Sequence, residues 1–359
     1  MPEDRMSPRE RINAFLTGGK LDRFPCVPLV LNHAARVAGL KIGAHNRDGR
    51  VMGECHVKAY RRYGQDLITI FSDTAVLAEA MGTQLHYPED DVPRVERPAV
   101  TDATLRSGEA TSLRSTSPAD RSRLEPAGAD RGRLPVYLEA IRTAVAAAGD
   151  EVAVSCCFAA PFTTAACLRG TDQLARDLYR NKDLAHDLLQ LSLELGKAFA
   201  DAVVDVGGIP VVVDPVATGS VLGERHFREF ALPYLQELHA HIAGRGLPVV
   251  LHICGQTSRI LDSMLEAGAA LLSLDDISMA EARDRIGDRA ALMGNVRPAH
   301  TLLQGTAQDV LREVRELCAI GRGCRGGFIL GSGCEVPIDS PIANVEAMMA
   351  GVREYGRLN

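Results

Sequence analysis

The chain has 359 residues, 46% of them hydrophobic and 24% charged, which is the globular range and excludes disorder as the state of the whole. Its 40 lysines and arginines against 46 acidic residues give a net charge of −6, so nothing favours nucleic acid or an anionic membrane as a partner. No apolar run is long enough to cross a bilayer and the charged start lacks a signal core, so we expect a soluble, cytoplasmic protein.

The first element is a helix. Ser7 and Glu10 form a capping-box pair, Pro8 suits the first helical position, and Ile12, Phe15 and Leu16 share a face. Eight apolar runs follow: Phe24 to Leu31, Asp66 to Phe71, Glu151 to Cys157, Ile209 to Val213, Leu247 to Cys254, Ala269 to Asp276, Ala290 to Val296 and Gly327 to Cys334. They are short, rich in Val, Ile and Leu, and do not alternate with polar residues, so both faces should be buried as in a parallel sheet. Helical patterns separate them, over Asp172 to Val206, Glu224 to Ala243 (interrupted by Pro233), Thr257 to Glu266, Met279 to Ile286, Thr306 to Ile320 and Pro341 to Tyr355. Strand and helix in alternation predict an α/β protein, and eight repeats predict a single (β/α)8 TIM barrel over 1–359 with an N-terminal helical extension. An open doubly wound sheet is the alternative. The polar stretch from Glu96 to Arg133 breaks the rhythm and reads as an inserted, solvated excursion or as a lid.

In such a barrel, polar residues at the carboxyl ends of strands face the active site. Here these are Asp214, His252, Cys254, Asp275, Asp276, Asn295 and Cys334. His252 and Cys254 are two apart at a strand end, so their side chains point the same way. An imidazole and a thiolate side by side can grip one soft or borderline metal, whereas the plainer interpretation is a core histidine beside a core cysteine. Cys334, framed by Gly331 and Gly333 at the end of the last run, offers a third donor. His252, Cys254 and Cys334 are therefore the candidate zinc ligands, with a fourth place open for substrate. Asp275 is a candidate substrate-displaced ligand or a helix cap, and successive residues point opposite ways, so Asp276 should face away. Two thiolates and one imidazole leave zinc nearly neutral overall. Such a centre suits activation of a substrate thiol for alkylation better than hydrolysis.

The motifs Val211-Val212-Val213-Asp214-Pro215, Leu251-His252-Ile253-Cys254-Gly255, Leu272-Ser273-Leu274-Asp275, Gly294-Asn295-Val296-Arg297-Pro298 and Gly331-Ser332-Gly333-Cys334 resemble the uroporphyrinogen decarboxylase superfamily. Asp22-Arg23-Phe24-Pro25 and Ala78-Glu79-Ala80-Met81-Gly82 look like its methylcobamide:coenzyme M methyltransferase branch. The resemblance implies a barrel whose His-x-Cys pair and distant Cys hold zinc. It implies a methylated corrinoid (protein-bound methylcobalamin) as methyl donor, delivered by a corrinoid protein to a small thiol acceptor. It also places Asp275 where distant relatives carry a carboxylate ligand, and it suggests a homodimer. True decarboxylases carry an Arg-Gln-Ala-Gly-Arg run after the first strand, whereas this chain reads Asn32 to Gly39 with Arg36 alone. A porphyrinogen decarboxylase and a non-catalytic corrinoid-binding accessory protein are the rival readings.

Other residues take secondary roles. Asp214 and Asn295 are the candidate catalytic residues: Asp214 would orient substrate or a ligand, or is a turn residue, and Asn295 would donate hydrogen bonds in the mouth, or caps the next helix. Glu79 is a candidate substrate contact or an exposed helix residue. A sulfonate-bearing thiol calls for a positive group, for which Arg297 and Arg225 are candidates. Cys324 precedes the last run and should lie at the opposite end of the barrel. One of Cys156 and Cys157 should face the mouth. His226, His239 and His241 read as surface or interface residues on a helix.

Overall fold

The computed structural model describes residues 4–102 and 128–358. Among the described residues there are ten strands: β1 (Cys26–Val27), β2 (Leu67–Ile70), β3 (Gln84–His86), β4 (Arg94–Arg97), β5 (Ala153–Ala159), β6 (Ile209–Val213), β7 (Val250–Ile253), β8 (Leu271–Leu274), β9 (Ala291–Val296) and β10 (Phe328–Ser332). Eight of them form one parallel sheet in the order β1-β10-β9-β8-β7-β6-β5-β2. The Asp66 N–H, one residue before β2, donates to the Cys26 carbonyl at 2.9 Å and links the two outer strands. The sheet is thus the closed (β/α)8 barrel expected from the eight apolar runs. Every residue of β9 and β10 is buried, which is why those runs do not alternate.

The N-terminal helix Pro8–Leu16 starts at the expected capping box: the Glu10 N–H donates to the Ser7 hydroxyl and the Ser7 N–H to Glu10 Oε2. Ile12, Phe15 and Leu16 from it close the amino-terminal end of the barrel interior. The helix is fixed by charge as well as by packing. Arg11 is fully buried, donates to Asp22 at 2.8 Å and to Asp66 at 2.5 Å, and Asp66 also accepts from Arg23 and from the Cys26 N–H, each at 2.6 Å. Buried guanidinium and carboxylate groups persist only when paired in this way.

Three details depart from the sequence expectation. The Glu224–Ala243 pattern is broken into a short helix (Gly223–His226), a π-helical turn (Phe227–Ala231) and the helix Leu232–Gly244, because Pro233 has no N–H to give. The polar stretch does not begin as open excursion: Glu96 and Arg97 belong to the antiparallel hairpin β3–β4, and at its far end Arg133 is buried. Positions 103–127 of that stretch lie outside the described residues. His239 is buried rather than superficial, its Nδ1 2.7 Å from the Ala267 carbonyl. Among the described residues no helix is long and apolar enough to cross a membrane.

Candidate metal and substrate site

The carboxyl ends of β7 and β10, with β8 and β9 between them in the sheet, open onto the barrel mouth, and Cys254 and Cys334 follow one and two residues beyond them. His252 stands on β7 itself, two residues before Cys254, and so shares its inward phase. The three converge: His252 Nε2 lies 3.0 Å from Cys254 Sγ, and the two sulfurs are 3.2 Å apart. All three ligand atoms fall within 4.8 Å of one another. Around a tetrahedral zinc such donors stand about 3.6–3.8 Å apart, so opening the cluster by roughly half an ångström would admit the ion. One buried imidazole and two half-buried sulfurs, brought together at the mouth, are a donor set that fits zinc.

The electrostatics follow from this crowding. The hydrogen bond from Cys254 and the neighbouring His252 pull the Cys334 thiol well below the usual range against the effect of burial, while the same bond and burial push Cys254 up. Burial works to lower His252, but the hydrogen bond and charge of Cys334 outweigh it and raise the imidazole. On its other side, His252 Nδ1 is 3.0 Å from the Ser273 hydroxyl on β8. That contact fixes the ring and leaves Nε2 directed at the sulfurs.

The remaining expected residues divide into two groups. Asp275 and Asn295 frame the cluster. Asp275 Oδ2 accepts the Gly255 N–H at 2.8 Å, with Gly255 in the left-handed region at φ +71° directly after Cys254. A side chain on Gly333 would stand 2.7 Å from Asp275 Oδ1, so glycine there lets this carboxylate reach the backbone beside Cys334. Burial raises the Asp275 carboxyl while the Gly255 bond works against it. Asp276 turns away, as the alternation requires, and meets the Gln256 amide. Asn295 Nδ2 donates to the carbonyls of Asp275 and Ile277 at 2.8 and 2.7 Å, tying down the turn after β8.

Asp214 and Glu79 stand apart from the three donors. Val211, Val213 and Pro215 line the interior, so Asp214 takes the opposite phase. It is fully buried and accepts from the N–H and hydroxyl of Thr163 at 2.9 and 2.6 Å, in the first turn of helix Pro161–Arg169; burial raises its carboxyl to about 7. Glu79 accepts from Tyr87 and, at 2.8 Å, from Arg133. Arg133 also donates to Asp73 at 2.7 Å just beyond β2. Arg297 is paired with Glu313 and 61% exposed, and Arg225 is exposed.

The sequence reading missed Asp73, Arg133 and Glu335. Glu335 follows Cys334 and lines the interior; its Oε1 accepts from the N–H and side-chain amide of Asn32 at 3.0 and 2.9 Å, and burial raises its carboxyl to about 7. Adjacency to Cys334 was the available signal. Arg133 had none, since its partners lie 54 and 60 positions away. Cys157 lines the interior whereas Cys156 is buried in the wall, and Cys324 lies before β10, away from the mouth.

A model of the uroporphyrinogen decarboxylase (URO-D) family matches residues 7–355. The methylcobamide:CoM methyltransferase MtaA of Methanosarcina barkeri is 27% identical over 355 residues, covering 97% of this chain and 98% of that protein. A uroporphyrinogen decarboxylase of Coxiella burnetii is 28% identical over 318 residues, covering 85% of this chain and 82% of the relative. A solved methyltransferase from Methanosarcina mazei superposes with a TM-score of 0.84 at 26% identity, over 98% of this chain and 99% of its own. From its family signature and its barrel, the chain belongs to the uroporphyrinogen decarboxylase family and, over its full length, resembles that family's methylcobamide:CoM methyltransferases.

Proposed function

We propose that the protein is a zinc-dependent methyltransferase that moves a methyl group from a methylated corrinoid, carried by a partner protein, to a small thiol. The observation that carries this reading is the convergence of His252 Nε2, Cys254 Sγ and Cys334 Sγ at the barrel mouth. Bound there, zinc would lower the pKa of an acceptor thiol and, balanced by two thiolates, leave its sulfur nucleophilic. The chain's own residues prepare that place. Ser273 orients His252, while Asp275 holds the Gly255 turn beside Cys254, and Asn295 in turn holds the Asp275 backbone. In the transfer the sulfur–carbon bond forms as the cobalt–carbon bond breaks, the electron pair stays with cobalt, and the thiol proton leaves to solvent.

Identity to a decarboxylase is as high as to a methyltransferase, so percentages do not choose between the readings. Coverage and the donor cluster favour methyl transfer. Arg36, the single basic residue where decarboxylases carry two, is half-exposed and paired with Asp339. The test is loss of the cobalt–carbon absorbance of methylcobalamin on adding thiol and zinc-loaded protein. Cys334→Ser should abolish it. Decarboxylation of uroporphyrinogen by metal-free protein, indifferent to Cys334→Ser, would establish the rival.

A further inference from the structure

The barrel interior is not filled. Most (β/α)8 barrels pack three layers of bulky inward side chains. Here many inward side chains are small, among them Thr69, Ser155, Cys157, Val211 and Ser273, and a cavity of about 240 Å³ runs from the metal donors down to Ile12 and Phe15 of the N-terminal helix. Its lining is almost wholly apolar. Among the described residues no lysine or arginine lines it, and apart from the metal donors and the Cys157 thiol its one ionisable group is the carboxyl of Glu335. The buried cation Arg133 is already held by Asp73 and Glu79. Arg36 and Arg297 are exposed and paired elsewhere.

These observations bear on the acceptor. A sulfonate or carboxylate in this space would be buried without a counter-charge, beside the Glu335 carboxyl and no cation. An alkyl or aryl group would gain from every buried carbon. An apolar cavity of about 150 Å³ accommodates benzene, so 240 Å³ suits a group of roughly eight to ten heavy atoms. We infer that the acceptor is an uncharged thiol bearing an apolar alkyl or aryl group that lies along the barrel axis beneath the metal donors. This inference rests on the methyl-transfer reading and names the substrate class for it.

The experiment uses zinc-loaded full-length protein with ethanethiol, butanethiol, hexanethiol and 2-mercaptoethanesulfonate. Binding is measured by calorimetry, and transfer is measured from methylcobalamin. Each added methylene should tighten binding about fourfold until the cavity is full. 2-Mercaptoethanesulfonate should bind at least tenfold more weakly than ethanethiol. Val211→Phe, which projects into the cavity, should lower kcat/KM for hexanethiol at least tenfold relative to ethanethiol. A flat alkyl series, or 2-mercaptoethanesulfonate binding as well as ethanethiol, overturns the inference even if transfer is seen. The graded alkyl series by calorimetry with no methyl transferred to any thiol supports the apolar site and removes the methyl-transfer reading instead.

Discussion

Ser273→Ala isolates a group that touches the metal donors only through His252. The Ser273 hydroxyl sits 3.0 Å from His252 Nδ1, and both residues are buried in a lining that is otherwise almost wholly apolar. Removing it has two consequences. The imidazole loses the partner that fixes its ring and directs Nε2 at the sulfurs, and a buried N–H is left unpaired. Partners of this kind are worth about 10–100-fold in metal affinity, and an unpaired buried donor costs about 1–3 kcal/mol. The two figures agree, because 10–100-fold is about 1.4–2.7 kcal/mol. Competition against a chromophoric chelator should therefore show zinc binding weakened at least tenfold in Ser273→Ala. Melting of the metal-free and zinc-loaded forms separates metal affinity from fold: the stabilisation by zinc should shrink, beyond any change in the metal-free protein. Zinc affinity within twofold of native would refute the role given to Ser273.

Three further outcomes follow from the same geometry. Asp66→Ala leaves Arg11 and Arg23 without their shared partner and the Cys26 N–H without an acceptor, so urea unfolding should show a loss of about 3 kcal/mol or more, and under 1 kcal/mol would contradict it. Burial holds the imidazoles of His45 and His239 down at about 4. Between there and 6.5 the unfolded chain binds more protons, so stability is full above that window and falls with pH, by about 2 kcal/mol per histidine at pH 5. His239→Gln should remove one such share of the loss between pH 7.5 and 5, and an unchanged loss would count against it. Gly333→Ala drives a methyl to 2.7 Å from Asp275 Oδ1, and should cost about 1–3 kcal/mol on melting and weaken zinc binding.

The barrel was legible because each of its strands is an uninterrupted apolar run, a pattern that burial on both faces produces. The strand ladders are shorter than the runs: Cys254 lies one residue past β7, in the same inward phase as Val250 and His252, whereas Cys334 lies two past β10, on the opposite phase from inward Ile329, and reaches the mouth because the chain has left the ladder. The hairpin β3–β4 was not legible, since three of the four residues of β4 are exposed and their polarity reads as loop. At the site, His252, Cys254 and Cys334 were found because chemistry and spacing coincide at strand ends. The same alternation would have turned Asp214 outward had it been applied to Val211 and Val213. The Asp73–Arg133–Glu79 network was hidden because long-range ion pairs leave no periodic trace.

Zinc content of the native protein, expressed with zinc and measured by mass spectrometry beside His252→Ala, Cys334→Ser and Cys324→Ser, tests the central claim most directly. The account predicts about one zinc per chain, lost when either donor is replaced and retained in Cys324→Ser, whose thiol lies away from the mouth. Native protein that takes up no zinc, or holds it equally after both donor substitutions, would contradict a metal centre at the barrel mouth.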